Sequence, residues 1–527
     1  MTTASSPRSD RLPDDLPGGS GTAPEEPGTA PEEPGTAPEE PGTAPEEPGT
    51  APEEEAGGVL SGPYRALTLG IVSVVLLIAF EATAVNTAMP VAAQRLHGLG
   101  LYAFAFSGYF TTSLFAMVVS GEWCDKRGPL APLFTGIAVF GGGLLVAGTA
   151  VNMWLFVAGR AIQGLGGGLV IVALYVVVGR AFPERLRPSV FAAFSASWVL
   201  PSILGPVISG AVTEHLGWRW VFLAIPAFIL LPLAVMAPAL RRAERAMRER
   251  GDTPPPSWAL DRRRVLLALA VSAGAGLLQY AGQRLDAVAL LPALAGAALL
   301  GPAVVRLLPG GTLRAARGLP TVILLRGVAA GAFFSAEAFI PLMLVTQRQL
   351  TPTLAGLSLT SGGLSWALGS WLQGRPWADR HRHGLIQAGF VLTAVAIGGA
   401  ALALVPAVPP VVVAAAWAVG GGGMGLAIAS VSVLMMNLSA PDEAGANSAS
   451  LQVSDALGNI LLVGLAGVLF SALGGAAVSH GTTGSGTGST SGFAVIFAVM
   501  TVVALLGAAV AGRTRPAADA PGAPATA

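Results

Sequence analysis

From Ala66 almost to the end of the chain, apolar stretches of about 20 residues follow one another with short polar turns between them. Each is long enough to cross the hydrocarbon core of a bilayer as a helix, which satisfies its own backbone where water is absent. Charged residues make up 11% of the chain, against roughly 25% in an average soluble domain. A membrane β-barrel would alternate apolar and polar residues strictly, and these stretches do not. The chain reads as an all-α polytopic membrane protein.

About 14 transmembrane helices are expected, at roughly 66–92, 101–122, 131–150, 153–178, 190–213, 219–239, 264–283, 287–308, 319–345, 353–374, 385–405, 410–437, 445–473 and 492–512. A basic connection from about 240 to 263 carries Pro254-Pro255-Pro256 and reads as a linker. The predicted organisation is a disordered acidic tail at 1–60 and a six-helix bundle at 61–239. The linker and two extra helices follow at 240–318, then a second six-helix bundle at 319–512 and a short disordered tail at 513–527. Apart from Gln279 and Tyr280, the extra pair carries little polarity, so peripheral packing is expected for it.

The formal net charge of zero conceals an asymmetry. Residues 21–48 repeat Gly-Thr-Ala-Pro-Glu-Glu-Pro four times, and 14 of the 30 acidic residues lie in the first 55 positions. Two prolines per repeat and no large apolar residue exclude a helical seam, so this segment is expected to be a disordered, solubilising tail, not a signal peptide. Beyond position 56 there are 28 basic and 16 acidic residues. Of the basic ones, 22 fall in loops on the face holding the N-terminus and only Arg95, Arg219, Arg284 and Arg348 on the other. The excess of positive charge predicts a cell-membrane protein with both termini cytoplasmic, and its scatter among loops argues against a nucleic-acid partner. The lone Cys124 excludes an intrachain disulfide, and no histidine falls within a predicted span, so no metal site is expected.

Four segments carry chemistry. Gly121-Glu122-Trp123-Cys124-Asp125-Lys126-Arg127-Gly128 packs four charges between two spans. Glu81-Ala82-Thr83-Ala84-Val85-Asn86 places a carboxylate in the first span, and Gly159-Arg160-Ala161-Ile162-Gln163-Gly164-Leu165-Gly166 places a guanidinium in the fourth. An ionisable group at that depth is costly, so function is its default explanation. The fifth span holds Gly205-Pro206-Val207-Ile208-Ser209-Gly210. The first segment resembles the Gly-x-x-x-Asp-Arg-x-Gly signature of the major facilitator superfamily, with Lys126 in the arginine's place. The others are similar to the first-helix, fourth-helix and antiporter motifs of its fourteen-span drug:proton antiporters. Glu81 stands for the usual aspartate, Pro201 for a common glycine, and Ser209 for the first of two final glycines. A weaker echo of the signature, with Asp379 and Arg380, lies between Gly374 and Gly384.

The resemblance implies alternating access by two rocking bundles, with a cytoplasmic latch at Gly121, Asp125, Lys126, Arg127 and Gly128. It also implies an antiporter-like helix motif at Gly205, Pro206 and Gly210. Spans one and four run in opposite directions, and at about 1.5 Å per residue Glu81 and Arg160 are close enough in depth to meet. A proton carrier beside an arginine changes its hold on the proton as the cavity opens and closes; a static ion pair that fixes packing is the other reading. Glu337, set among Phe333, Phe334 and Phe339, and Asp455 are further proton-coupling candidates, unless each is paired locally. Arg326 is expected to snorkel to the near end of its span. Asn86, Gln163, Trp198, Phe334 and Phe339 are candidates to line the substrate cavity. The expected function is proton-coupled export of small hydrophobic or amphipathic compounds, with the proton gradient as energy source and no other cofactor. No obligate protein partner is evident. A carrier of one metabolite and a non-transporting membrane sensor are the alternatives; an enzyme is not expected, because no nucleophile-and-base or metal-ligand constellation is present.

Overall fold

Backbone groups buried in apolar surroundings must bond to one another, and the chain answers with long helices. A computed structural model describes residues 58–183, 185–249, 261–284, 287–440, 443–473 and 487–515. The acidic repeats, Pro254-Pro255-Pro256 and the last 12 positions lie outside the described residues. The long helices are α1 (Gly62–Arg95), α2 (Tyr102–Arg127), α3 (Leu130–Gly148), α4 (Met153–Ala181), α5 (Arg187–His215), α6 (Arg219–Glu249) and α7 (Arg262–Arg284). They continue with α8 (Leu290–Leu307), α9 (Leu319–Gln347), α10 (Pro352–Gln373), α11 (Pro376–Ala401), α12 (Val411–Asn437), α13 (Ala444–Ala472) and α14 (Thr487–Val510). Thirteen are both long and apolar enough to cross a membrane; α10, diluted by serine, threonine and glycine, falls short on apolarity. Their starts follow local chemistry. Asn152 accepts a hydrogen bond from the Leu155 N–H at 2.8 Å to cap α4, and Thr351 caps α10 ahead of Pro352.

The packing repeats itself. In the first six helices α1 lies on α5 and α6, α4 on α2 and α3, and α3 on α6; in the last six α9 lies on α13 and α14, α12 on α10 and α11, and α11 on α14. Each contact of the first set has its counterpart eight helices later, as expected of repeated halves. The two sets meet along α1 with α9, α2 with α13, and α5 with α10.

Glycines set the closest approaches. A Cβ on Gly166 would lie 2.2 Å from the Phe140 nitrogen of α3, one on Gly164 2.2 Å from the Tyr109 oxygen of α2, and one on Gly143 2.3 Å from the Gln163 nitrogen. The glycines around Arg160 therefore let α4 lie directly against two backbones.

The extra pair departs from expectation. Helix α8 packs on α7 and turns leucines outward, but α7 is wedged between α2 and α13. Gln279, 6% exposed, accepts from the Ser107 hydroxyl at 2.7 Å and donates to the Ile460 carbonyl at 3.2 Å, tying one helix of each half to α7. Ser272 adds a bond to the Thr111 carbonyl at 2.8 Å. The apolar sequence of α7 concealed this, because one amide at the right height suffices to join three helices.

Candidate functional site

Four turns before its end, α1 presents Glu81, and two turns into α4 comes Arg160. The antiparallel run brings them together: Arg160 Nη1 donates to Glu81 Oε1 at 2.6 Å and to Gln163 Oε1 one turn along α4 at 2.5 Å. The three side chains are 1%, 3% and 0% exposed. The guanidinium also lies 4.7 Å from the centroid of the Tyr109 ring on α2, whose π-face attracts the cation. Glu81 Oε2, Arg160 Nε and Gln163 Nε2 have no hydrogen-bond partner among the described residues. The cluster is thus a buried, incompletely satisfied polar network, the kind whose balance a single proton can alter. Tyr109 was not singled out from the sequence, since nothing in the spacing of α2 sets it apart from its aromatic neighbours.

Glu337 is the nineteenth residue of α9, as Glu81 is the twentieth of α1, so the two carboxylates occupy nearly matching places in the repeated halves. They differ in partner. Glu337 is half-buried and accepts from Asn86 Nδ2 of α1 at 3.4 Å, across the junction of the halves. Its apolar neighbours are less uniform than the sequence suggested. Phe334 is half-buried and stacked on Trp366, which leaves it near Glu337's helix face. Phe339 is not a cavity residue: it is fully buried with Tyr102, Phe470 and Phe493, with Tyr102 and Phe470 each about 5 Å from it, centroid to centroid. Its place one helical face away from Glu337 put it in the core. Trp198 is 40% exposed on α5.

Asp455 of α13 pairs with Arg326 of α9, Oδ1 to Nε, at 2.6 Å, and Asn459 Nδ2 approaches Asp455 Oδ2 at 3.4 Å. Arg326 therefore does not snorkel to the end of its span; a carboxylate one helix away holds it. This second pair is more open than the first, with 18% of the Arg326 side chain and 25% of the Asp455 side chain exposed.

The charged signature lies within the last turns of α2, not in the loop beyond it. Gly128 caps the helix at φ +81°, a conformation that suits glycine. Gly121 has open space where a Cβ would point, so close packing is not its reason. Asp125 is exposed and only loosely paired with Arg180 at 3.8 Å, while Arg127 is half-buried. The centre of this end is Glu122: it pairs with Lys126 at 3.4 Å and Arg264 of α7 at 3.6 Å and accepts from the Asp261 N–H at 3.1 Å. Its signal in the sequence was a carboxylate four residues before a lysine on one helix. In the second half, Asp379 pairs with Arg382, not Arg380, within the first turns of α11, which begins nine residues earlier than expected and takes in His381 and His383.

The motif of α5 faces two ways. A Cβ on Gly205 would lie 2.2 Å from Thr83 Oγ1 of α1, and Thr83 in turn donates to the Pro201 carbonyl at 3.1 Å. Ser209, in a glycine's place, donates to the Ala84 carbonyl at 2.6 Å. On the opposite side Pro206 and Gly210 press on α10: a Cβ on Gly210 would lie 2.5 Å from Thr353 Cα, and one on Gly356 2.4 Å from the Pro206 oxygen. Both departures from the motif thus make bonds to α1, and the segment forms part of the joint between the halves.

Over 171 residues the chain is 30% identical to the multidrug transporter protein MdtP of Bacillus subtilis (strain 168), covering 32% of this chain and 31% of that one. It is 25% identical over 169 residues to the multidrug efflux pump SdrM of Staphylococcus aureus (strain N315), covering 32% and 37%. The alignments span about a third of the length of these curated relatives. Among solved structures, a D-xylose-proton symporter superposes with a TM-score of 0.59 at 14% identity, covering 86% of this chain and 98% of that one. An auto-inhibited POT family peptide transporter gives 0.59 at 16%, covering 85% and 98%. These two share the fold. A family model, Major Facilitator Superfamily, matches residues 71–461. With its helices, its repeated packing and that match in agreement, the chain is a multi-pass membrane protein that belongs to the Major Facilitator Superfamily, a family of transporters and not of enzymes.

Proposed function

We propose that this protein is a proton-coupled secondary active transporter of the cell membrane that exports small hydrophobic or amphipathic compounds by alternating access, with both termini cytoplasmic. The observation that carries the reading is the buried Glu81–Arg160 pair at 2.6 Å, shared with Gln163 and backed by Tyr109. A proton on Glu81 cancels its charge and leaves Arg160 buried without a counter-ion, a state costly by several kcal/mol. The cost is relieved if the surrounding helices move so that another acceptor or water reaches the guanidinium. Protonation and helix movement are then one event, which is what coupling requires.

Glu337 supplies a second carboxylate on the other half, where its contact with Asn86 must change when the halves rock apart. It serves as a second proton carrier or as counter-ion to a cationic substrate. The Asp455–Arg326 pair is a further coupling candidate, and the Glu122 cluster, with Asp125, Lys126 and Arg127 around it, the latch at the basic end. Similarity of one third of the chain to multidrug transporters supports export of apolar compounds over carriage of a single metabolite. The basic excess on the N-terminal face supports the orientation.

The test is proton-gradient-driven movement of a hydrophobic cationic dye in inverted membrane vesicles, comparing the native chain with Glu81→Gln. Movement by the native chain that Glu81→Gln abolishes supports the reading. Movement that persists in the variant reduces Glu81 to packing, and no movement by the native chain sinks multidrug export.

A further inference from the structure

The α7–α8 pair forms a concavity lined by none of the residues assigned above to transport. The helices touch at mid-height, where a Cβ on Gly274 or Gly296 would lie 2.8 or 2.7 Å from the other's carbonyl oxygen. Counting from that crossing, Arg263 is 11 residues away along α7 and Arg306 10 along α8. At about 1.5 Å per residue both are carried roughly 15 Å to the same end. There a cleft of about 520 Å³ opens, lined by Arg263, Leu266, Leu267 and Arg306.

Neither guanidinium has an ion-pair or hydrogen-bond partner among the described residues. The nearby acids are engaged elsewhere. Asp261 accepts from the backbone N–H groups of Arg263 and Arg264 and pairs with the Arg264 side chain, which also reaches Glu122. Two positive charges with no partner among the described residues thus stand over leucine walls at the end of two membrane helices. The cleft is open to the bilayer: Leu266 in its wall is 61% exposed, and Val305 beside Arg306 is 62% exposed.

We propose that this cleft is a binding site for an anionic phospholipid, its phosphate between Arg263 and Arg306 and the upper part of an acyl chain along Leu266 and Leu267. Planar guanidinium groups match phosphate oxygens, and basic pockets between membrane helices hold anionic headgroups. The leucine half of the lining selects a lipid over a free ion, since only a lipid covers apolar surface there. The inference needs the helices to span a bilayer and does not depend on proton coupling.

Native mass spectrometry of the full detergent-purified chain tests it, with dioleoyl phosphatidylglycerol or phosphatidylcholine added. The native chain and an Arg380→Ala control are expected to retain one phosphatidylglycerol and to shed phosphatidylcholine. The double variant Arg263→Ala/Arg306→Ala is expected to lose about tenfold in retention, equivalent to about 1.4 kcal/mol. Each single variant is expected to lose part of it, which keeps the test decisive if the double variant aggregates. Equal retention by native and variant chains, or equal retention of both lipids, overturns the proposal. Millimolar inorganic phosphate that displaces the lipid completely overturns the lipid as occupant and leaves a phosphate site.

Discussion

At the scale of single residues, the buried pair decides most. Arg160→Ala leaves Glu81 without its cation at 1% exposure, so thermal unfolding in detergent should show a loss of about 3–5 kcal/mol. Combining it with Glu81→Gln should restore part of that loss while leaving transport abolished; a double variant no more stable than Arg160→Ala would deny the pair its electrostatic role. Glu337 lacks an arginine, so Glu337→Gln should cost less, about 1 kcal/mol, because an amide still accepts from Asn86. The same protein in dye transport should nevertheless be impaired. The pairing of Glu81 with Arg160 was legible from chain direction and rise per residue, since both lie in long unbroken helices. The partner of Arg326 was not, because Arg326 and Asp455 lie 129 residues apart in the chain and nothing in either span sets the relative rotation of α9 and α13. Phe339 illustrates the same limit. An aromatic residue two positions from a carboxylate lies on another helical face, and only the packing of α2, α13 and α14 reveals that this face is core.

At the scale of elements, most helix ends followed within about five residues from apolar length alone, but α6 runs ten residues into the expected linker and α11 begins nine residues early, because basic and polar turns there continue the helix beyond its apolar part; the contacts between helices did not follow. The α5 motif shows why small residues matter. Gly205→Ala places a methyl group 2.2 Å from the Thr83 hydroxyl and should lower the thermal midpoint by several degrees. Thr83→Ala in the same chain removes the clashing atom, and recovery of the midpoint would locate the damage there. Gly210→Ala meets backbone, Thr353 Cα at 2.5 Å, and no side-chain truncation relieves it. It should prise α5 from α10, detectable as faster labelling of a cysteine placed at Ser202. For the charged end of α2, the motif's spacing pointed to Asp125, whereas burial selects Glu122. Spacing cannot distinguish an exposed carboxylate from one covered by a helix more than 100 residues later.

At the scale of the molecule, hydrogen bonds among the described residues join the first half to the last six helices, among them Asn86 with Glu337, Tyr102 with Ala338, Glu214 with Thr353, Ile203 with Thr360, and Gly100, in the turn before α2, with Ser471. They run from the middle of the spans to the end opposite the N-terminus. Cysteines replacing Glu214 and Thr353 should therefore form a disulfide under mild oxidation and arrest dye transport until reduced. Crosslinking without arrest would mean that this joint does not part during transport. The joints α2 with α13 and α5 with α10 are counterparts in the repeated packing, but Gln279 and its helix pack into the first, and among the described residues no helix packs into the second in the same way. A compound dissolved in the bilayer and drifting sideways towards the protein meets a third helix as a wall on one flank and a bare two-helix seam on the other. The carrier is thereby one-sided within the plane of the membrane as well as across it.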